Sequence, residues 1–364
     1  YETFKSRNAP QRPQAPSAAT CPSTDAPPQP PPSEQLDGAD AAFAHIDTPW
    51  AMLKYLLKHV ERAGDATRKT VTLTREQVLA SVTFCAMVMT AWREERDGVP
   101  LSERTCHQMI LLGQGGTGKT MIVIEIFIPL VKWAFPPDRE GDRWLVLAFS
   151  HAQADAISNG TVRARTLHSA CAMRVQSMAN SKMAPKERID ALTSTWENKV
   201  FLVNEEVSMM PAEAINMEMF RAAHGRRVKF QLNMDNYART QELFGRMPLT
   251  LFLGDFLQLK PPKQLSLVDD LVQKARDGKS VSVEAQTAVD AFRDIDVVIE
   301  LLESRRFVDE LLPQLMNFLR DADGTKPMPD RMWQSLMDRS VERAGSALVN
   351  DKFFATGHVI GIFW

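Results

Sequence analysis

The sequence has little of several features that mark common protein classes. It contains 4 cysteines in 364 residues, and they form no C-x-x-C pair. Their spacing favours neither a zinc site nor a disulfide framework, so we expect a reducing compartment. No run approaches the roughly 18 uninterrupted apolar residues that a membrane span needs, so we expect no membrane partner. The cysteines are Cys21, Cys85, Cys106 and Cys171.

A strong charge of either sign is also missing. The 43 Lys and Arg residues nearly balance 45 Asp and Glu residues, which gives a net charge of −2. This balance excludes a strongly basic chain, so any nucleic-acid contact must come from a local groove. The 44% apolar content is typical of a soluble globular protein. The first residue is Tyr1, with no charged-then-apolar signal region after it, and we interpret the sequence as a fragment of a longer protein.

Composition divides the chain into four predicted parts. The first 33 residues hold 9 of the 22 prolines and few large apolar groups, which predicts a disordered tail over residues 1–39. Residues 40–70 are predicted to be a helical linker, whose amphipathic helix ends near Gly64. We expect a first globular domain over 71–298 and the beginning of a second domain over 299–364.

The hydrophobic pattern in the first domain predicts an α/β fold. Short apolar segments at 109–112, 144–149, 200–203 and 249–253 read as strands, and helical patterns alternate with them. Strands that alternate with helices imply a parallel sheet covered by helices on both faces.

A phosphate-binding loop is the strongest motif in the sequence. Gly113–Thr120 reads G-Q-G-G-T-G-K-T and matches G-x-x-x-x-G-K-[ST] between a predicted strand and a predicted helix. Its glycines let backbone N–H groups point at phosphate oxygens. Lys119 would neutralise the β- and γ-phosphates, and the Thr120 hydroxyl would bind Mg²⁺. The predicted nucleotide-binding residues are Gly113, Gly115, Gly116, Thr117, Gly118, Lys119 and Thr120.

Acidic and amide side chains follow two other predicted strands. Glu205 and Glu206 come after the strand at 200–203, where one carboxylate would bind Mg²⁺ and the next would orient or deprotonate water. A solvated acidic turn is the alternative. After the strand at 249–253, Gln258 could sense the γ-phosphate, whereas Asp255 could equally cap a turn.

Together, the phosphate loop, E-E-V-S-M-M at 205–210 and G-D-F-L-Q-L-K-P-P at 254–262 resemble the PIF and RecD-like group of superfamily 1 DNA helicases, including Helitron-type helicases. The resemblance runs from about residue 73 to 354. It implies RecA-like domains, ATP and Mg²⁺ as cofactors, single-stranded DNA or single/double-strand junctions as partners, and 5′-to-3′ movement. It also implies a role in DNA repair, recombination or telomere maintenance, or a transposon origin. We expect an intracellular location, which would be nuclear or mitochondrial in a eukaryote.

The resemblance assigns further residues. Gln77 falls on the family's adenine-reading glutamine. The arginine that reaches the γ-phosphate falls on Arg305 or Arg306, of which we favour Arg306. Local capping together with a histidine that is hydrogen-bonded within the protein is an equal alternative to the DNA role. The DNA-contacting candidates are Phe149, Ser150, His151, Thr166, His168 and Lys260.

Two departures from the family pattern keep other functions open. Glu205 stands where the family has Asp, so its carboxylate is one methylene further from the backbone. No later helicase motif follows before Trp364. The main alternative is a P-loop switch or scaffold with degenerate hydrolysis; a small-molecule kinase is a third reading, for which the sequence offers no acceptor site.

Overall fold

Six short segments form one parallel sheet in the computed structural model of the chain. The strand order is β3-β2-β4-β5-β1-β6, and every neighbouring pair is parallel. The strands are β1 (His107–Gly113), β2 (Trp144–Ala148), β3 (Ala164–Thr166), β4 (Phe201–Asn204), β5 (Leu249–Gly254) and β6 (Val297–Leu301). The structure describes residues 46–63, 72–137, 142–158, 162–172, 186–230, 243–258, 267–268, 282–295, 297–304, 311, 314–315, 317–318 and 327–338.

The helices begin where the sequence offers caps. Thr74 and Ser150 each form a capping box, in which the side chain accepts from the N3 backbone and the N3 glutamine reaches back to the cap. A π-helical turn (Val123–Phe127) links the helix after the phosphate loop to the next one. The helices are α1 (Pro49–Ala63), α2 (Arg75–Arg96), α3 (Lys119–Ile122), α4 (Ile128–Ala134), α5 (His151–Ile157), α6 (Leu167–Ala170), α7 (Lys186–Trp196), α8 (Ala212–Phe230), α9 (Val283–Arg293) and α10 (Asp330–Asp338).

Alternate residues of the strands pack into two separate hydrophobic cores, one on each face of the sheet. In β1, Met109 and Leu111 belong to the core that includes α2 and α4, whereas Ile110 belongs to the core that includes α7 and α8. This is the period-two alternation of a strand that is covered on both faces. The predicted α/β class with a helix-covered parallel sheet is confirmed.

Helix α1 adds Met52, Leu53, Leu56 and Val60 to the first core, so the helix predicted in the linker is part of the globular body. Strand β6 (Val297–Leu301) pairs with β1 and spans the predicted boundary between residues 298 and 299. The domain boundaries otherwise stay predictions. The predicted tail over 1–39 lies outside the described residues. Among the described helices, none has the length and apolar character of a membrane span.

Arginines hold together the amino ends of the strands. Arg226 is fully buried and donates to the carbonyls of Trp196, Lys199 and Gly245, the last two of which lie just before β4 and β5. Arg143, next to β2, makes a bidentate ion pair with Glu95 at 2.6 and 3.1 Å. Because these contacts join several segments through backbone carbonyls, they fix where the strands start.

Candidate nucleotide site

The phosphate loop lies between β1 and α3, as the sequence predicts. Gly116 and Gly118 have φ angles of +89° and +84°, in the left-handed region that favours glycine. A Cβ atom on Gly118 would lie 2.6 Å from the Gln77 side-chain nitrogen, so the loop also needs glycine there for space. The loop conformation therefore depends on glycines at these two positions.

Lys119 lies inside the loop and is only 8% exposed. Its Nζ donates to the carbonyl oxygens of Gly113 at 2.5 Å and Gln114 at 3.3 Å. The Thr117 hydroxyl donates to the same Gln114 oxygen at 2.9 Å. The loop thus places a buried cation where the phosphates of a nucleotide would meet its backbone N–H groups.

Glu205 reaches the loop from β4 although β5 lies between β4 and the loop strand β1. Two strand spacings are about 10 Å, a gap that long side chains from both sides can close. The side chain of Thr120 lies close enough to the Glu205 carboxylate to favour its charged form. Burial raises the pKa of Glu205 to about 7 and the Glu206 charge adds to this, whereas Thr120 and Lys119 lower it.

Glu206 has a left-handed backbone, with φ 54° and ψ 48°, at the start of a 3₁₀ turn (Val207–Met209). This conformation is costly for a residue with a Cβ and is found more often at functional sites. Glu206 lines a cavity of about 370 Å³ together with the phosphate loop. Glu206 therefore faces the space that Lys119 and Thr120 also line.

The residues fit a magnesium ion. The Oε1 atom of Glu205 and the Oε2 atom of Glu206 are buried without a hydrogen-bond partner among the described residues. A hydroxyl and a carboxylate are the hard oxygen ligands that Mg²⁺ takes, usually with waters and phosphate oxygens completing the shell. The described residues contain no group of three or more His, Cys, Asp or Glu side chains able to hold a metal without such help.

The Gln77 amide is bonded to two backbone groups of the protein, whereas the predicted adenine contact would need this amide to face the nucleotide. Its Oε1 accepts from the Thr74 backbone N–H at 2.9 Å, and its Nε2 donates to the Thr117 carbonyl at 2.9 Å. Gln77 is buried and ties the start of α2 to the phosphate loop. The adenine role stays a prediction, and it would require the amide to leave these two partners.

Asp255 caps a turn, which is the role that the sequence suggested for it. Its Oδ1 accepts from the Leu257 backbone N–H at 3.1 Å, and its Oδ2 accepts from the Gln258 side chain at 3.2 Å. The Gln258 amide is therefore held by Asp255 just after β5. Its γ-phosphate-sensing role stays a prediction.

Five of the six DNA-contacting candidates lie at the carboxyl ends of two adjacent strands. Ala148 of β2 is paired with Thr166 of β3, and the rings of Phe149 and His168 are 6.4 Å apart. Ser150 and Thr166 cap α5 and α6 with their side chains, as the alternative reading predicted. Burial lowers the pKa of His168, and the nearby His151 lowers it further. The cluster is an aromatic and imidazole surface.

Two predicted residues, Lys260 and Arg306, lie outside the described residues. Just before the predicted arginines, the Ser304 hydroxyl donates to the Gly115 carbonyl at 3.1 Å. The segment that follows β6 thus contacts the phosphate loop directly. The sequence motif placed this segment near the nucleotide, but it gave no reason to single out Ser304.

Two further features of the structure were not predicted from the sequence. The Gln153 side chain donates to the Met209 sulfur at 3.4 Å, which joins α5 to the turn after Glu206. On α8, burial raises the pKa of Glu218 to about 8, against a lowering effect of the neighbouring Asn204 side chain. A polar residue within an apolar helix pattern was the only available sequence signal for Glu218.

The fold and the loop define the class: an α/β P-loop domain with a RecA-like sheet. No protein-family model and no curated protein matches the chain. The resemblance predicted from the motifs is confirmed as similarity to solved Pif1 helicases. The Candida albicans Pif1 helicase matches at 20% identity and a TM-score of 0.47, over 73% of this chain and 47% of that one. Bacteroides Pif1 bound to ssDNA matches at 14% identity and 0.44, over 74% and 50%.

A third similar structure is the Bacteroides Pif1 helicase in complex with ADP-AlF3 and ssDNA, at 14% identity and a TM-score of 0.43, over 80% of this chain and 58% of that one. The chain spans about half the length of the solved chains that it matches.

Proposed function

We propose that this chain binds ATP with Mg²⁺ and couples its hydrolysis to movement on single-stranded DNA, as the nucleotide-binding half of a DNA helicase. One observation carries the proposal: Thr120 and Glu205 meet across β5, at the cavity that Lys119 and Glu206 line. A cation, a hydroxyl and two carboxylates are the parts that phosphoryl transfer to water requires.

Each side chain has a chemical task in this proposal. Lys119 exchanges its loop carbonyls for the β- and γ-phosphate oxygens. Thr120 and Glu205 hold Mg²⁺, which supplies charge neutralisation on the phosphoryl oxygens. Glu206 accepts the proton of the attacking water, since one of its carboxylate oxygens is buried without a hydrogen bond among the described residues.

The DNA part of the proposal depends on the surface at the ends of β2 and β3. Phe149 and His168 lie within ring contact, and the lowered pKa of His168 favours its neutral form near pH 7. Neutral rings stack on bases without regard to sequence, which suits a strand that must move past the protein. In the complete protein we propose 5′-to-3′ movement, as the family resemblance implies.

A P-loop switch with weak hydrolysis is the second candidate. The extra methylene of Glu205 and its raised pKa both favour it, since Mg²⁺ demands near-ideal geometry and a charged ligand. A switch of this kind needs no DNA, so DNA binding separates the two functions.

Phe149→Leu tests the proposal. Loss of one stacking ring should weaken binding of a labelled oligothymidine about tenfold, measured by fluorescence anisotropy. Phe220→Leu is the matched control, because Phe220 also lies against a histidine, His224, at 5.2 Å, but on α8. The DNA function is contradicted if Phe149→Leu binds DNA with native affinity, or if the native chain does not bind DNA. In either case the P-loop switch becomes the favoured function.

A further inference from the structure

The carboxyl ends of β2 and β4 are joined at two points. The backbone N–H of Glu205 donates to the Leu147 carbonyl of β2 at 2.9 Å. Beyond the strands, the Gln153 side chain of α5 donates to the sulfur of Met209 at 3.4 Å. The first contact belongs to the sheet and depends on no side chain, whereas the second depends on Gln153 and Met209.

Gln153 has one end on each side of this junction. Its Oε1 accepts from the Ser150 backbone N–H at 3.1 Å, within the segment that begins at Phe149. Its Nε2 points away from the cap to Met209. A capping glutamine needs only its oxygen for the cap, so the amide nitrogen is available for a second task.

Met209 also contacts the backbone of Glu206. Its backbone N–H donates to the Glu206 carbonyl at 2.9 Å and closes the 3₁₀ turn that holds Glu206 at φ 54°. A residue held in a left-handed conformation depends on the contacts around it. Ser150 is therefore connected to the backbone of Glu206 through two side chains, Gln153 and Met209, and one turn.

We propose that Gln153 and Met209 are positioning residues that couple strand binding near Phe149 to the setting of Glu206. This inference rests on the proposed function, since it requires a DNA site and a nucleotide site in the same chain. Movement of α5 on DNA would pull or release the Val207–Met209 turn, and nucleotide at Glu206 would act back on α5. Such coupling is reciprocal between the two ligands.

Two variants break the contact by different chemistry. Gln153→Glu keeps an oxygen for the Ser150 cap but loses the N–H that meets sulfur. Met209→Leu removes the sulfur and keeps a side chain of similar volume. Met217→Leu is the matched control, since Met217 is also half-buried but lies on α8. Only Gln153→Glu changes the charge near the DNA site, so an effect shared with Met209→Leu does not come from charge.

The experiment is a linkage measurement on the 364-residue chain. The affinity for labelled oligothymidine is measured by anisotropy, with and without a saturating Mg²⁺ complex of a non-hydrolysable ATP analogue. The ratio of the two affinities should differ from one by about fivefold or more in the native chain and in Met217→Leu. In Gln153→Glu and Met209→Leu the ratio should return to within about twofold of one, while each ligand still binds alone.

Failure of the inference and failure of the proposed function give different results. If the native chain shows linkage and both variants keep it, the coupling role of Gln153 and Met209 is wrong while the helicase proposal stands. If the native chain binds both ligands without linkage, or does not bind DNA, the coupled function itself is wrong, and the inference falls with it.

Discussion

At the amino ends of the strands, Arg226 is surrounded by backbone carbonyls to which it donates, whereas at the carboxyl ends Glu205 and Glu206 each keep a buried oxygen without a hydrogen bond among the described residues. Arg226 and Glu205 are removed from water, as is one carboxylate oxygen of Glu206, and such burial is costly unless each polar atom finds a partner. At the amino ends, protein carbonyls are the hydrogen-bond partners of the arginine. At the carboxyl ends, a metal ion, a nucleotide or water would have to be the partner of the two carboxylate oxygens.

We infer from this difference that the amino ends of the strands contribute to stability and the carboxyl ends to function. Segments that precede the strands are tied together by Arg226, Arg143 and Glu95, so a change there should alter folding. Segments that follow the strands carry the phosphate loop, the two glutamates and the Phe149 surface. Ligands of open α/β sheets bind beyond the carboxyl ends of the strands for the same topological reason.

The largest expected effect is on turnover. Glu206→Gln removes the proton acceptor while keeping the shape of the side chain, so the rate of ATP hydrolysis should fall by about 10²- to 10⁴-fold with ATP affinity nearly unchanged. Phosphate release and nucleotide titration measure the two quantities. Glu213→Gln, an exposed position on α8, is the control. Normal turnover by Glu206→Gln would remove Glu206 from the chemistry.

At the opposite end, Arg226→Met should destabilise the fold without touching the nucleotide site. The carbonyls that Arg226 satisfies would be left buried without donors, so the free energy of unfolding should fall by about 3 kcal/mol. Chemical denaturation measures this. The neighbouring Arg227→Met serves as the control, since the Arg227 guanidinium lies 3.2 Å from the His224 ring nitrogen and not among the carbonyls that precede the strands. Equal losses in the two variants would contradict the role of Arg226.

Glu218 should make the free energy of unfolding depend on pH. Burial raises its pKa in the folded chain to about 8, above its ordinary value of 4.5. The folded state therefore holds a proton that the unfolded state releases, and this contribution to stability is lost as pH rises from about 5 to 8. Relative to Glu218→Gln, the native free energy of unfolding should fall by up to ~1.4 kcal/mol per pH unit. Parallel stability curves of the two proteins would show that Glu218 is not buried in its neutral form.

The smallest effect concerns backbone strain. Glu206 and Arg246 both have left-handed backbones, with φ angles of 54° and 60°. Glu206→Gly should raise the free energy of unfolding by about 1 kcal/mol, because glycine relieves the strain and no side-chain hydrogen bond is lost. Arg246→Gly should lower it, since Arg246 donates to the carbonyls of Leu101 and Arg104. Thermal unfolding of both variants measures these changes. A lower free energy of unfolding in Glu206→Gly would contradict the account of strain.

The sequence predicted four of the six strands, because each of these four is a short apolar run between polar loops. It did not predict β3, which reads A-R-T, or β6. It also predicted the meeting of Lys119, Thr120 and the glutamates, since these residues follow parallel strands. The strand ends were less certain: Trp144–Ala148 ends one residue before the predicted limit, because Phe149 already leads into the Ser150 cap.

Contacts between segments far apart in sequence could not be predicted. Ser304 and Gly115 are 189 residues apart, and their hydrogen bond follows from the pairing of β6 with β1, which no local pattern specifies. The two amide partners of Gln77 likewise depend on how α2 packs beside the phosphate loop. The motif identified Gln77 as important, and only the packing shows what it holds.

The most direct test of the central claim, that the carboxyl end of the sheet is a nucleotide site, is a titration of the native chain and Lys119→Ala with Mg·ATP. Lys119 is the buried cation of the phosphate loop, so its removal should weaken affinity by tenfold or more, about 1.4 kcal/mol. The Arg226→Met variant, if folded, should keep native affinity. Unchanged ATP affinity in correctly folded Lys119→Ala would contradict the claim.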